Sequence, residues 1–189
     1  GAPSGNSGNI SVTSSSTGSL NVAGVAVNVG EEFSFTNVVN SGTITVNSDT
    51  TAAKADIYIS GISTTIKANS SFTNIENSGD ISVTGSAYRH LVVNGIGNEV
   101  RCTMKNVVNS GNIDTSVTTG NKMLVYGCAR LVYLGTTDVH NTGNVTVSGT
   151  ATTGMVQVAG TFDTLGNYAL TTDASKPSSN SGTITCRAK

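Results

Sequence analysis

Charge is scarce in this chain. Its 189 residues include ten Lys and Arg against eleven Asp and Glu, for a net charge of −1. A surface so nearly neutral lacks the basic footprint of a nucleic-acid binder. So few charges also exclude a charge-extended disordered tail. Aromatic residues make up only 5%, with no Trp, and there are two Pro. No apolar run approaches the ~18 residues that a bilayer crossing requires, so the sequence contains no membrane span. The first five residues, Gly1-Ala2-Pro3-Ser4-Gly5, carry neither the basic nor the apolar stretch of an export signal, which leaves localisation to be inferred indirectly. What the chain has instead is Gly, 22 residues of it, with Ser, Thr and Asn supplying most of the remainder. By size it is one domain or one array of repeats over residues 1–189.

Self-similarity organises the whole chain. The pattern Asn-Ser/Thr-Gly-x-Ile/Val-x begins at Asn6, Asn40, Asn77, Asn109, Asn141 and Asn180, at successive offsets of 34, 37, 32, 32 and 39 residues. A second segment, alternating apolar and ending in Gly, recurs in phase: Leu20 to Gly24, Ile57 to Gly61, Leu91 to Gly95, Met123 to Gly127 and Val156 to Gly160. A third lies just ahead of the Asn-x-Gly, as in Phe35-Thr36-Asn37-Val38, Phe72-Thr73-Asn74-Ile75 and Met104-Lys105-Asn106-Val107. The fourth copy, Thr136-Thr137-Asp138-Val139, keeps the spacing and loses the large apolar residue.

The chemistry of these pieces is that of strands ending in turns. In Gly42-Thr43-Ile44-Thr45-Val46 the aliphatics alternate with hydroxyls, which puts Ile44 and Val46 on one face. The Gly after Asn-Ser is expected to supply positive φ for a sharp corner. No window has helical periodicity, and β-branched Thr, Val and Ile disfavour a helix. Three short strands per repeat predict an all-β, right-handed parallel β-solenoid of about five to six turns. Turns stacked at about 4.8 Å give an axis of about 25 Å. Inward columns would then be Ile10, Ile44, Ile81, Ile113, Val145, Ile184 and Val12, Val46, Val83, Thr115, Val147, Cys186. The Asn columns, including Asn37, Asn74 and Asn106, read as hydrogen-bonded ladders. Unequal offsets place loop insertions between strands, with Asn47 to Ala55 one candidate. A β-propeller would need four strands in each blade of about 40–45 residues, and only three segments are visible.

Asn-Ser-Gly-Thr-Ile-Thr, with Asn two residues before Gly and an aliphatic two after, resembles the rungs of secreted bacterial β-helical proteins of the filamentous-haemagglutinin and autotransporter-passenger type. The resemblance covers the turn-strand segment of all six copies. It implies an extracellular or cell-surface, adhesin-like module. The partners implied are a host surface protein or glycan, or neighbouring chains of the same surface assembly. With neither end visibly capped, the array is expected to belong to a longer protein, or to cap itself through loops or oligomer contacts.

Few residues can carry chemistry. Cys102, Cys128 and Cys186 have no CxxC spacing and fall at apolar repeat positions, so they read as free inward thiols, with a Cys102–Cys128 bridge the lesser alternative. His90 and His140 have no ligand partner at metal spacing, no calcium-loop pattern is present, and no metal or cofactor is expected. Asp80 and Asp114 fall on outward positions of neighbouring turns, offset by two residues. That spacing could bring the two carboxylates within roughly 6–9 Å, the separation a glycosidase pair requires, and Arg89, His90, Arg101 and Lys105 lie in the intervening turn; a merely solvated face has the same pattern. A Thr-x-Thr ice-binding array is present in two copies and broken in the rest. The middle segment presents outward Asn21, Tyr58, Val92, Leu124, Gln157 and then Ala23, Ser60, Asn94, Tyr126, Ala159. Tyr58, Val92, Leu124 and Tyr126 form an apolar-aromatic stripe, either an exposed interaction surface or a patch beneath a covering loop. The function expected is therefore non-catalytic binding to a host or glycan ligand, with a carbohydrate-active or carbohydrate-binding β-helix as the alternative.

Overall fold

The computed structural model describes residues 3–15, 17–50, 54–165, 175 and 177–188. Every regular element among them is a strand, and every strand pairs in parallel with its equivalent one turn away. The chain is a parallel β-solenoid of about five turns. The first sheet stacks Ser4–Asn6, Ser34–Asn40, Ser71–Asn77, Met104–Asn109, Thr136–Asn141 and Ser179–Asn180. The second stacks Ile10–Ser14, Ile44–Asp49, Ile81–Ala87, Ile113–Thr119, Val145–Ala151 and Ile184–Ala188. Leu20–Ala23, Asp56–Ser60, His90–Asn94, Lys122–Tyr126 and Val156–Ala159 form the third. The fourth comprises Ala26–Val29, Ser63–Ile66, Gly97–Val100, Ala129–Val132 and Phe162–Leu165. The register joins Ile44 to Ile81 to Ile113 and Val46 to Val83 to Thr115, the columns expected from the repeat. Of the proposed insertion, 47–49 continue the second sheet and 51–53 lie outside the described residues.

Each turn has four strands rather than the three expected. The fourth strand lacks an alternating pattern because its inward residues stand three apart, as in Ala26 and Val29 or Ala129 and Val132. One residue between them falls out of the pairing register: Ser63 and Thr65 pair across the sheet with Gly97 and Glu99, skipping Thr64 and Asn98. A period-two reading has nothing to detect there.

The glycines also act differently from expectation. None of Gly42, Gly79, Gly111, Gly143 and Gly182 has a left-handed backbone. They are required by close approach, since a Cβ on Gly79 would lie 2.1 Å from the Gly42 carbonyl oxygen in the turn beside it. The left-handed positions that recur from turn to turn in the first sheet are instead Asn37, Asn74, Asn106 and Asp138, with φ of 57°, 57°, 52° and 59°, and Glu32 and Asn69 join them ahead of that sheet. Asn and Asp tolerate this region better than other side chains, and each of the recurring four bulges its strand of the first sheet.

The cross-section is pinched into two lobes. Ile44, Val46, Ile57, Ile59, Leu91 and Val93 belong to a core between the second and third sheets. Ile62, Ile66, Phe72, Ile75, Ile96 and Met104 belong to another between the first and fourth. The waist is the asparagine ladder meeting a glycine column. The Asn77 amide donates to Asn109 Oδ1 at 2.8 Å and to the Gly79 carbonyl at 2.9 Å, and its own Oδ1 accepts from Asn40 at 2.8 Å. Asn109 and Asn141 repeat the arrangement, all fully buried. Opposite them stand Gly61, Gly95 and Gly127, where a Cβ would approach an Asn Cγ to 2.4–2.5 Å. The bend between the third and fourth sheets is thereby drawn inward.

Cys102 and Cys128 are free and buried, in keeping with the reading as inward thiols. Burial pushes the Cys102 thiol up to about 12. Cys186 sits opposite Val147 as expected, yet is exposed, because no described strand stacks beyond it.

Candidate functional site

A bend drawn inward leaves a furrow outside. At a convex corner the outward side chains of adjoining sheets point apart, but here they meet. Gln157 on the third sheet donates to Asp163 on the fourth at 2.5 Å. The Arg130 guanidinium, also on the fourth, lies close enough to Tyr58, His90 and Tyr126 on the third to act on them, adding to the burial that lowers His90 and opposing the burial that raises both tyrosines.

The stripe anticipated from sequence lines this furrow. The register places Tyr58, Val92, Leu124 and Gln157 in one outward column and Ser60, Asn94, Tyr126 and Ala159 in the next. As an exposed surface the stripe is corrected by its burial: Val92 is 2%, Leu124 6% and Tyr126 0% exposed, with Tyr58 half-buried against them. These side chains pack on one another along the column, with Tyr58 and Ala159 against them.

Polar atoms collect here without partners. Ten buried side-chain oxygens and nitrogens among the described residues have no hydrogen bond. Five of them with no facing partner of any kind are in this furrow, Ser60 Oγ, both amide atoms of Asn94, Asn98 Oδ1 and Arg130 Nε, while two more, Asp56 Oδ1 and the Tyr126 hydroxyl, face charged neighbours. A buried donor or acceptor left without a partner costs about 1–3 kcal/mol, so five together in one furrow call for an explanation beyond the packing of the coil. Burial, then the neighbouring Asp163 carboxylate, holds the Tyr126 hydroxyl well above the ordinary tyrosine pKa. Tyr58 is raised by burial and by Asp56, whose Oδ2 accepts its hydroxyl at 3.3 Å. At the mouth, Asp56 faces Arg89 and His90, each at 3.4 Å.

Asp80 and Asp114 do lie on neighbouring turns of the second sheet, offset by two, since Ser82 is the residue that pairs with Asp114. Asp80 is occupied structurally. Its Oδ1 accepts from the Asn112 backbone at 2.7 Å, the bond that Asn9, Asn112 and Asn144 make to Thr43, Asn144 and Thr183 in other turns. Asp114 is exposed on the same face. The basic residues expected to assist are turned elsewhere: Arg89 and His90 to Asp56, and Arg101 to Glu99 at 2.7 Å and over the Tyr133 ring. His140 bridges Asp138 and Ser179, both at 2.8 Å. Among the described residues no cluster of three or more His, Cys, Asp or Glu can hold a metal.

A second depression, of about 640 Å³, lies where the second and third sheets join, bordered by Thr50, Tyr88, Thr118 and Thr152. Tyr88 there is 49% exposed. Sequence reasoning passed over Tyr88, and also Asp56, Asn98, Arg130 and Asp163. Their one signal is departure from the repeat, for no other turn has Tyr at the place of Tyr88 or Arg at that of Arg130. No protein-family model, curated protein or solved structure matches the chain.

Proposed function

We propose that the chain is an extracellular, cell-surface module of adhesin type that binds a host or glycan ligand and performs no catalysis. The observation supporting this reading is the furrow: a scaffold whose other buried amides are saturated by ladders leaves five polar atoms unpartnered along one lateral groove, with Tyr58 beside them. Aromatic faces next to unsaturated amides and hydroxyls suit a ligand that is part ring and part hydroxyl. Engagement of Asp80 by Asn112 favours binding over hydrolysis. No helix among the described residues is long and apolar enough to cross a membrane. Display on a surface therefore depends on something other than a helical span in these residues.

The test is binding of the folded protein to arrays of glycans and of extracellular-matrix proteins, alongside a reducing-sugar release assay over polysaccharides. Saturable binding without sugar release is the expected result. Release of reducing ends would replace the reading with a carbohydrate-active β-helix, and silence on every array would remove it. Self-association through neighbouring chains, measured by sedimentation, would make the module an assembly element instead.

A further inference from the structure

Resting on that reading, we propose that the furrow between the third and fourth sheets is a binding site for an acidic saccharide, with Asn94 engaging a pair of sugar hydroxyls and Arg130 the acid group. Asn94 is 0% exposed, points outward from its strand, and has both amide atoms free, so it offers one acceptor and two donors at the floor of the groove. Adjacent sugar hydroxyls present the complementary donor and acceptor. Ser60 and Tyr126 flank it in the same column, one turn to either side, and add the unpartnered Ser60 hydroxyl and the Tyr126 hydroxyl that faces Asp163.

Charge selects among sugars. Arg89, Lys122 and Arg130 all bear on His90, opposed there by Asp56 alone. Arg89 is paired with Asp56, and Asp163, which accepts from Gln157, keeps its charge beside Tyr126, so the three cations outnumber the two carboxylates by one. Arg130 Nε has no partner, which leaves a planar guanidinium edge for a carboxylate or sulfate. Arg130 is partly exposed, and its charge bears on Tyr58, His90 and Tyr126 of the third sheet, which ties it to the column that holds Asn94. The ligand then replaces water at atoms the protein itself leaves unmet.

The experiment is calorimetric titration of the full chain with oligogalacturonate, its methyl ester, heparin fragments and dextran, each at low and high salt. Binding of oligogalacturonate or heparin that weakens with salt, with the methyl ester and dextran bound far more weakly, is the expected result. Preference between the first two identifies the acid as carboxylate or sulfate. Asn94→Leu should melt no lower than the parent and bind about tenfold or more weakly. Arg130→Gln should lose the discrimination between the acid and its ester. Should Asn94→Leu fail to fold, the assignment falls, because Asn94 would then be structural. Equal binding of acid and ester, or binding untouched in both variants, also overturns it. Array binding that ignores both variants would keep the binding module and remove only the furrow, whereas no binding at all would remove both.

Discussion

Asn77 and Asn94 are both fully buried and both sit on strands of the same turns, yet one amide has every hydrogen bond it can use and the other has none. The difference is repetition. Asn77 has an Asn above and below it at the same position, and stacked amides at strand spacing satisfy one another without further design. Asn94 has Ser60 and Tyr126 as its column neighbours. A buried polar group that interrupts its column has no partner supplied by the fold, so its presence needs another explanation.

The sharpest way to break this comparison is to make one substitution at both places. Asn77→Leu orphans the Asn40 amide, the Asn109 oxygen and the Gly79 carbonyl, at about 1–3 kcal/mol each, so a loss of about 3–9 kcal/mol is expected in denaturant unfolding. The Asn94→Leu change removes two unmet groups and substitutes a similar volume. Its expected effect is nil or a gain of up to about 1 kcal/mol. Equal losses at the two positions would mean that the Asn94 amide is satisfied in solution by groups the fold provides.

Gly95→Ala probes the waist from the other side. The new methyl would meet the Gly127 carbonyl oxygen at 2.0 Å and Asn109 Cγ at 2.4 Å, with backbone on one side and a locked ladder on the other. Overpacking of about 1–3 kcal/mol or more is expected, read as a lowered unfolding midpoint. A tolerated alanine would show that the two lobes are not pinned together, and the furrow would lose its cause. A smaller loss, about 1–2 kcal/mol, is expected for Asn74→Ala, which forces a β-carbon residue without a polar tip into φ of 57° and cuts the exposed ladder to Asn37 and Asn106. Asn74→Gly should lose less, because Gly accepts that backbone freely.

These contrasts also explain what could be read from the sequence. The inward columns and both ladders were legible, since a solenoid repeats its constraints and Ile44, Asn40 and Asn37 recur with them. The fourth strand was not, because Ala26 and Val29 are spaced by three around a residue outside the register. The stripe of Tyr58, Val92, Leu124 and Tyr126 was correctly placed outward, but its burial was hidden. That burial depends on a waist where Gly95 touches Asn109, a contact across the coil that no local pattern encodes. Arg130 and Asp163 were missed for the same reason: they matter only because the outside corner is concave.

The smallest effect separates ladder from furrow by pH, since the buried asparagine ladder contains no titrating group. Burial, the largest cause, together with Arg89, Lys122 and Arg130, holds His90 below its ordinary pKa, and Asp56 pulls the other way without reversing the direction. A histidine depressed in the folded state favours the neutral form there. Its contribution is therefore intact above the unfolded value of about 6.5 and is lost as pH falls from there through the folded pKa. Melting temperatures taken in steps from about pH 7.5 to about pH 5 should fall slightly more for the parent than for His90→Asn. The excess should shrink when Arg130→Gln removes one of the opposing cations. If the parent and His90→Asn melting curves instead run parallel across that range, the cations at the furrow mouth do not act on His90, and the positive character assigned to the furrow loses its internal support.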